Sequence, residues 1–202
     1  MECEVRYYYK KECYDELFNK LNNIDKLKYK GKFYEKTYQY NHPSKKYDFY
    51  SKNIDGRFRI RITKKDNLKK CMISWKRRLK DSLLTNKQEE VELSIKDDEI
   101  DNLFFIIDNV LHLKLVECYE RYRTIFYNDD VEIALDLYPF GLALEIEAKT
   151  DNKEDIIIDE YLKLLDLKTE DSYKLSWDDK YEELCKTQNK KIEKKYYLKK
   201  IR

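Results

Sequence analysis

The sequence predicts an α+β fold, a closed eight-stranded antiparallel β-barrel with helices at its periphery. Three observations predict it. About eight segments alternate charged and apolar residues with period two, the spacing of strands that present one polar and one apolar face. Stretches with apolar residues at helical spacing are placed among and after these segments rather than before them. Glycine and proline are scarce, with 3 and 2 in a chain of 202 residues, so long irregular loops are few.

The elements follow in order. Residues 1–6 read as a strand, with Glu2, Glu4 and Arg6 on one face and Met1, Cys3 and Val5 on the other. Residues 11–22 read as a short helix, with Tyr14, Leu17, Phe18 and Leu21 on one stripe. Residues 33–40 and 46–51 are aromatic-rich strand candidates around a turn at Asn41-His42-Pro43, and Asp55-Gly56 marks the next turn. Residues 57–62 alternate most clearly: Phe58, Ile60 and Ile62 oppose Arg57, Arg59 and Arg61. Residues 70–78 repeat that pattern, with Lys76 on the polar face, and residues 88–95 reverse its sign, setting Glu90 and Glu92 against Val91, Leu93 and Ile95.

Residues 97–111 have the acidic start and apolar stripe of a helix, through Ile100, Leu103, Phe104, Ile107 and Leu111. Residues 115–127 form a long strand carrying Arg121 and Arg123. A hairpin signal at Asn128-Asp129 leads to residues 131–137, with Glu132 and Asp136 on the polar face. Residues 142–149 make the last strand, with Glu145 and Glu147 as a second acidic pair. A third helix spans residues 155–165, and Ser176 to Asp179 reads as a capping box opening a fourth, to about Cys185. The expected organisation is one domain over residues 1–185 and a basic C-terminal tail over residues 186–202.

With 42 basic and 40 acidic residues the net charge is only +2. A globally basic nucleic-acid binder is therefore excluded as the simple reading, and any electrostatic function must come from local segregation of charge. The five cysteines are scattered without C-x-x-C spacing, which points to free thiols in a reducing compartment. No apolar run approaches the roughly 20 residues of a membrane span, and charge in the first residues argues against a signal peptide. The expectation is a soluble cytoplasmic protein.

Each strand carries mostly one sign on its polar face. Two carboxylates on one strand face stand roughly 7 Å apart, and at an effective dielectric near 20 their repulsion is on the order of 2 kcal/mol. Solvation and cross-strand pairing on an ordinary one-sided sheet would relieve it. So would a lumen, with the apolar faces turned outward beneath the helices. In that second arrangement the bases suit a polyanion and the acids suit a hard divalent cation, so a triphosphate with its metal answers both.

In this order the segments resemble the CYTH, or triphosphate tunnel metalloenzyme, superfamily. Glu2-Cys3-Glu4-Val5-Arg6 resembles its N-terminal Glu-x-Glu-x-Lys signature, with Arg in place of Lys. Phe58-Arg59-Ile60-Arg61, Ile73-Ser74-Trp75-Lys76, Glu90-Val91-Glu92 and Arg121-Tyr122-Arg123 resemble successive family strands. Leu135-Asp136, Gly141 and Glu145-Ile146-Glu147 resemble its closing hairpin, and the match runs to about residue 175. The resemblance implies a tunnel binding triphosphate end to end. It places Glu2, Glu4, Glu145, Glu147 and Asp136 near Mg²⁺ or Mn²⁺, and Arg6, Arg59, Arg61, Lys76, Arg121 and Arg123 on phosphates. Glu90 or Glu92 would orient the attacking water.

Four activities then compete. Hydrolysis of inorganic triphosphate or a small organic triphosphate leads. Removal of the γ-phosphate from RNA 5′ ends, class IV-type adenylate cyclase activity, and binding of polyphosphate or nucleotide without turnover are the alternatives. A membrane partner is not expected, and homodimerisation stays open. His42 and His112 lie away from the sorted faces and are not assigned catalysis, and Trp75 reads as outer packing. The lysines after Lys186 read as a solvated tail, with contact to RNA or an acidic surface as the other option.

Overall fold

The computed structural model describes residues 3–78, 88–150 and 153–198, without the side chains of Arg78 and Gln88. Glu2 lies outside them. Nine strands form one sheet: β1 (Cys3–Tyr9), β2 (Lys28–Asn41), β3 (Gly56–Lys65), β4 (Leu68–Arg78), β5 (Gln88–Ile95), β6 (Lys114–Tyr127), β7 (Val131–Tyr138), β8 (Gly141–Ala148) and β9 (Lys195–Tyr196). The order is β1-β8-β7-β6-β2-β3-β4-β5, antiparallel throughout, with the two-residue β9 added parallel to β6.

The path has two ends. Among the described residues no ladder joins β1 to β5, so the sheet is not closed by hydrogen bonds as a barrel would be. At β1 the edge is already occupied: the Tyr173 N–H donates to the Arg6 carbonyl at 2.7 Å and the Arg6 guanidinium donates to the Leu175 carbonyl at 3.3 Å. A strand edge covered by another segment is shielded from pairing with a further strand.

Among the described residues four α-helices complete the fold: α1 (Tyr14–Asn22), α2 (Ile100–Phe105), α3 (Glu154–Leu165) and α4 (Trp177–Thr187). The predicted apolar stripes explain where they sit. Leu17 and Leu21 of α1 and Ile157, Ile158, Tyr161 and Leu162 of α3 pack on Val5, Ile133, Leu135, Leu144 and Ile146. On the other side Ile100 of α2 and Ile107 pack on Tyr40, Ile60 and Cys71. The apolar faces of β1, β3, β7 and β8 thus lie under helices, whereas Val91 and Leu93 of β5 are exposed, and the charged faces turn to the concave side. Among the described residues no two cysteines are joined in a disulfide.

Three local expectations change. Residues 46–51 are not a strand, because Asn41 organises a turn there. Its Nδ2 donates to Asp48 Oδ1 at 2.8 Å and its Oδ1 accepts from the Phe49 N–H at 2.9 Å. The helix expected through Leu111 is α-helical only to Phe105; a π-helical turn over Ile106–Val110 follows, and Leu111 is exposed. After Lys186 the chain does not simply trail into solvent: β9 returns to β6, and Tyr196 is buried in an aromatic stack with Tyr119 and Tyr181.

Candidate active site

Alternation along each strand sends one set of side chains to the concave face, where they bound a cavity of about 280 Å³. Every strand from β1 to β8 reaches it, through Glu4 and Arg6, Glu35, Arg57, Arg59 and Arg61, Lys76, Glu92, Arg121 and Arg123, Glu132, and Glu145 and Glu147. The first turn of α4 adds Trp177 and Asp178, next to its N-cap Ser176. A wall drawn from eight strands requires the sheet to curl around the space, so the sign-sorted faces are interior and not a solvated surface.

The bases are held by acids between strands. The Arg6 guanidinium donates to Glu4, its neighbour but one, and lies 3.6 Å from Glu145, its cross-strand partner. Arg123 donates to Asp136 at 3.0 Å and to Glu145 at 3.2 Å. Arg121 is the most enclosed: it donates to Glu35 at 2.7 Å, to Asp136 at 2.6 Å and to the Tyr138 hydroxyl at 2.9 Å. Lys76 pairs with Glu90 at 2.9 Å. Among the described residues Arg59 makes no direct bond to a carboxylate; its Nε donates to the neutral Gln39 Oε1 at 3.2 Å.

Burial and charge set the protonation states together. Burial raises the Glu145 carboxyl, but Arg123, Arg6 and Arg121 outweigh it and hold the group well below the usual carboxylate range, aided by the Trp177 Nε1–H at 2.6 Å. Glu35 follows the same balance: burial raises it, and Arg121, Arg61 and Arg123 bring it down to about 2. For Asp136 burial wins against the same arginines and pushes the carboxyl up to about 7.

The sequence-derived site residues therefore separate into groups. Glu4, Glu145, Glu147, Arg6, Arg59, Arg61, Lys76, Arg121, Arg123 and Glu92 share the cavity wall. Asp136 is wholly enclosed behind it, under Arg121 and Arg123, and Glu90 is reached through Lys76. Glu132 stands opposite Glu147, which stands opposite Glu4, so three carboxylates form a row across β7, β8 and β1. Its shared face with Asp136 was readable from spacing; its register with Glu147 was not. Glu35 had no sequence signal, because its stretch is not sorted by sign. Among the described residues no group of three or more Asp, Glu, His or Cys side chains is gathered tightly enough to hold a metal ion. The all-oxygen donor set of Glu4, Glu145 and Glu147 nonetheless has the chemistry of a hard-cation site.

No family model matches the chain, and no curated protein does. Solved structures do. The PH1819 protein of Pyrococcus horikoshii OT3 aligns at a TM-score of 0.72 and 24% identity, over 91% of this chain and 99% of that one. A provisionally named adenylate cyclase of Vibrio parahaemolyticus aligns at 0.63 and 17% identity, over 88% and 95%. HpAC1 of Hippeastrum, provisionally named an adenylyl cyclase and described as having a dominant triphosphatase activity, aligns at 0.61 and 16% identity, over 95% and 98%. At these identities the similarity defines the fold. The six motifs of the sequence lie in chain order on β1, β3, β4, β5, β6 and the β7–β8 hairpin.

Proposed function

We propose that this protein is a divalent-metal-dependent triphosphatase that hydrolyses a phosphoanhydride of inorganic triphosphate or of a small organic triphosphate. The observation that carries the reading is the single cavity in which Arg6, Arg59, Arg61, Lys76 and Arg123 face Glu4, Glu145 and Glu147. Guanidinium groups fixed by strand register offer forked donors to phosphate oxygens. Arg59 is the best placed of them, since a neutral amide orients it without neutralising it. Arg121, bonded to Glu35, Asp136 and Tyr138, positions the wall around it.

Glu4, Glu145 and Glu147 would hold Mg²⁺ or Mn²⁺, with Glu132 supporting Glu147 from the next strand. The cation, when bound, neutralises charge that builds on phosphoryl oxygens. Glu92, on the wall, would orient the attacking water, and the chemistry is otherwise positioning and charge neutralisation. The deciding experiment supplies inorganic triphosphate, ATP and 5′-triphosphorylated RNA with Mg²⁺ or Mn²⁺. Phosphate release from inorganic triphosphate is expected. Cyclic AMP and pyrophosphate from ATP would make the protein a cyclase, the activity named for two fold neighbours. Turnover of the RNA alone would make it an RNA 5′-triphosphatase, and binding without turnover a binding module.

A further inference from the structure

A second concentration of charge lies outside the cavity. Residues 26–36 hold five lysines and one acid, and residues 63–70 four lysines and one acid. The pairing of Tyr34 with Lys64 brings the two runs side by side, where β2 begins and β3 ends. One of the acids, Glu35, faces inward and is taken by Arg121. The other, Asp66, is exposed in the turn between β3 and β4. Lys26, Lys30, Lys36 and Lys69 pair with Glu160, Glu132, Glu120 and Asp97. Among the described residues the other five, Lys28, Lys32, Lys64, Lys65 and Lys70, pair with no carboxylate.

Lys30, Lys32, Lys64 and Lys65 share an open groove with Tyr29, Tyr34 and Tyr122. A bulge between Tyr29 and Gly31 shapes it, and the Lys30 carbonyl there accepts from Lys65 Nζ at 3.2 Å. Gly31, at φ +140°, leaves room for that ammonium, since a Cβ would stand 2.5 Å from it. Lys32 lies over the rings of Tyr14 and Tyr122, at 4.8 and 5.2 Å. Tyr29 packs against Phe18 and Phe126 and is half exposed. The groove holds no aliphatic side chain and shares no lining residue with the cavity. Arg121 and Arg123 line the cavity and Tyr122 between them lines the groove, so the two sites lie on opposite faces of β6.

We infer that this groove is a docking surface for single-stranded RNA, an inference that does not rest on the triphosphatase reading. Lysines without carboxylate partners attract backbone phosphates and release their counterions. Tyrosine rings interleaved with them give bases a surface to stack on, and a single strand has base faces to offer where a duplex does not. Asp66, the groove's one carboxylate, can accept from a ribose 2′-hydroxyl, a group that DNA lacks. A bilayer suits the groove less, because the groove presents no aliphatic or tryptophan side chain for it to take up.

The test is fluorescence anisotropy of the full-length protein with a labelled 5′-hydroxyl oligouridylate over a range of salt. Wild type should bind it, and inorganic triphosphate at matched ionic strength should not displace it. K32A/K64A should weaken binding roughly tenfold or more and flatten the slope of log affinity against log salt by about 1.4, the share of two single-strand phosphate contacts. K163A/K168A removes the same charge from the α3 side and should leave the slope unchanged. Y29L should weaken binding about fivefold or more without changing the slope, as loss of one stacked base does. The oligodeoxyuridylate of the same length should bind more weakly. Displacement by triphosphate would place the RNA in the cavity, and equal slope changes in the two lysine pairs would reduce the effect to net charge. Unaltered binding in Y29L would remove the stacking, and equal affinity for the deoxy chain the assignment to RNA. Binding to phosphatidylserine vesicles in place of RNA would make the groove a membrane face. Each of these, like failure of wild type to bind, overturns the inference and leaves the triphosphatase reading untouched.

Discussion

At the residue scale the site depends on charges that cannot be removed singly without exposing a partner. Arg59→Ala removes the cavity arginine whose Nε is oriented by the neutral Gln39 amide, and Glu147→Ala removes the centre of the acidic row. Each should lower kcat on triphosphate by about a hundredfold or more, as loss of fixed transition-state electrostatics does, and steady-state phosphate release checks it. Glu35 differs, since it holds Arg121 and Arg61 and faces the ligand little. Glu35→Gln leaves a buried arginine underpaired and should cost roughly 3–5 kcal/mol of stability by denaturant titration. Its folded pKa of about 2 lies below the ordinary 4.5, so its contribution is present above about pH 4.5 and lost as pH falls through about 2. Glu117, raised by burial and then by Asp178, has the opposite sign. Its folded pKa of about 9 lies above 4.5, so its contribution is complete below about pH 4.5 and lost as pH rises toward 9. Glu117→Gln cannot titrate, and its thermal stability relative to wild type should improve across that window. A constant difference at all pH values would contradict the assignment.

At the scale of the element, strands were easy to read and their neighbours were not. Period-two alternation located β3, β6, β7 and β8 because each contains a stretch that sets charged residues on one face against apolar or aromatic ones on the other. The capping box of α4 was legible from Ser176 and Asp179, and the structure closes it with bonds of 3.3 Å and 2.9 Å in the two directions. What α4 does was not legible, because pattern gives no hint that its first turn enters the cavity and joins Trp177 to Glu145. Residues 46–51 misled for a related reason: aromatic composition suits a strand, but the Asn41 side chain satisfies the backbone locally instead. Ser176→Ala removes the α4 cap and should cost about 1 kcal/mol, with faster amide exchange in the first turn of α4 and a weakened Trp177–Glu145 bond. Exchange unchanged at Asp179 and Lys180 would mean the helix is held by packing alone.

At the scale of the whole molecule, sign-sorting on separate strands was readable from the sequence, but only the curl of the sheet converts it into a cavity. Glu35 and Gln39 owe their roles to register with Arg121, Arg59 and Glu117, which no local window contains. The same holds for the chain after α4. Its lysines suggested a solvated tail, yet Tyr196 stacks at 4.2 Å from Tyr181 and 5.5 Å from Tyr119, and its hydroxyl orders Glu117. The last segment therefore buttresses the β6 wall behind Gln39 and Asp178. Replacing this buried aromatic by Ala should cost about 3–5 kcal/mol, and Tyr196→Ala should lower Tm accordingly. Tyr196→Phe keeps the stack and frees only Glu117, so it should cost much less, about 1 kcal/mol. Equal losses in the two variants would assign the effect to the hydroxyl. No loss in either would return residues after Lys186 to a tail that the fold does not need.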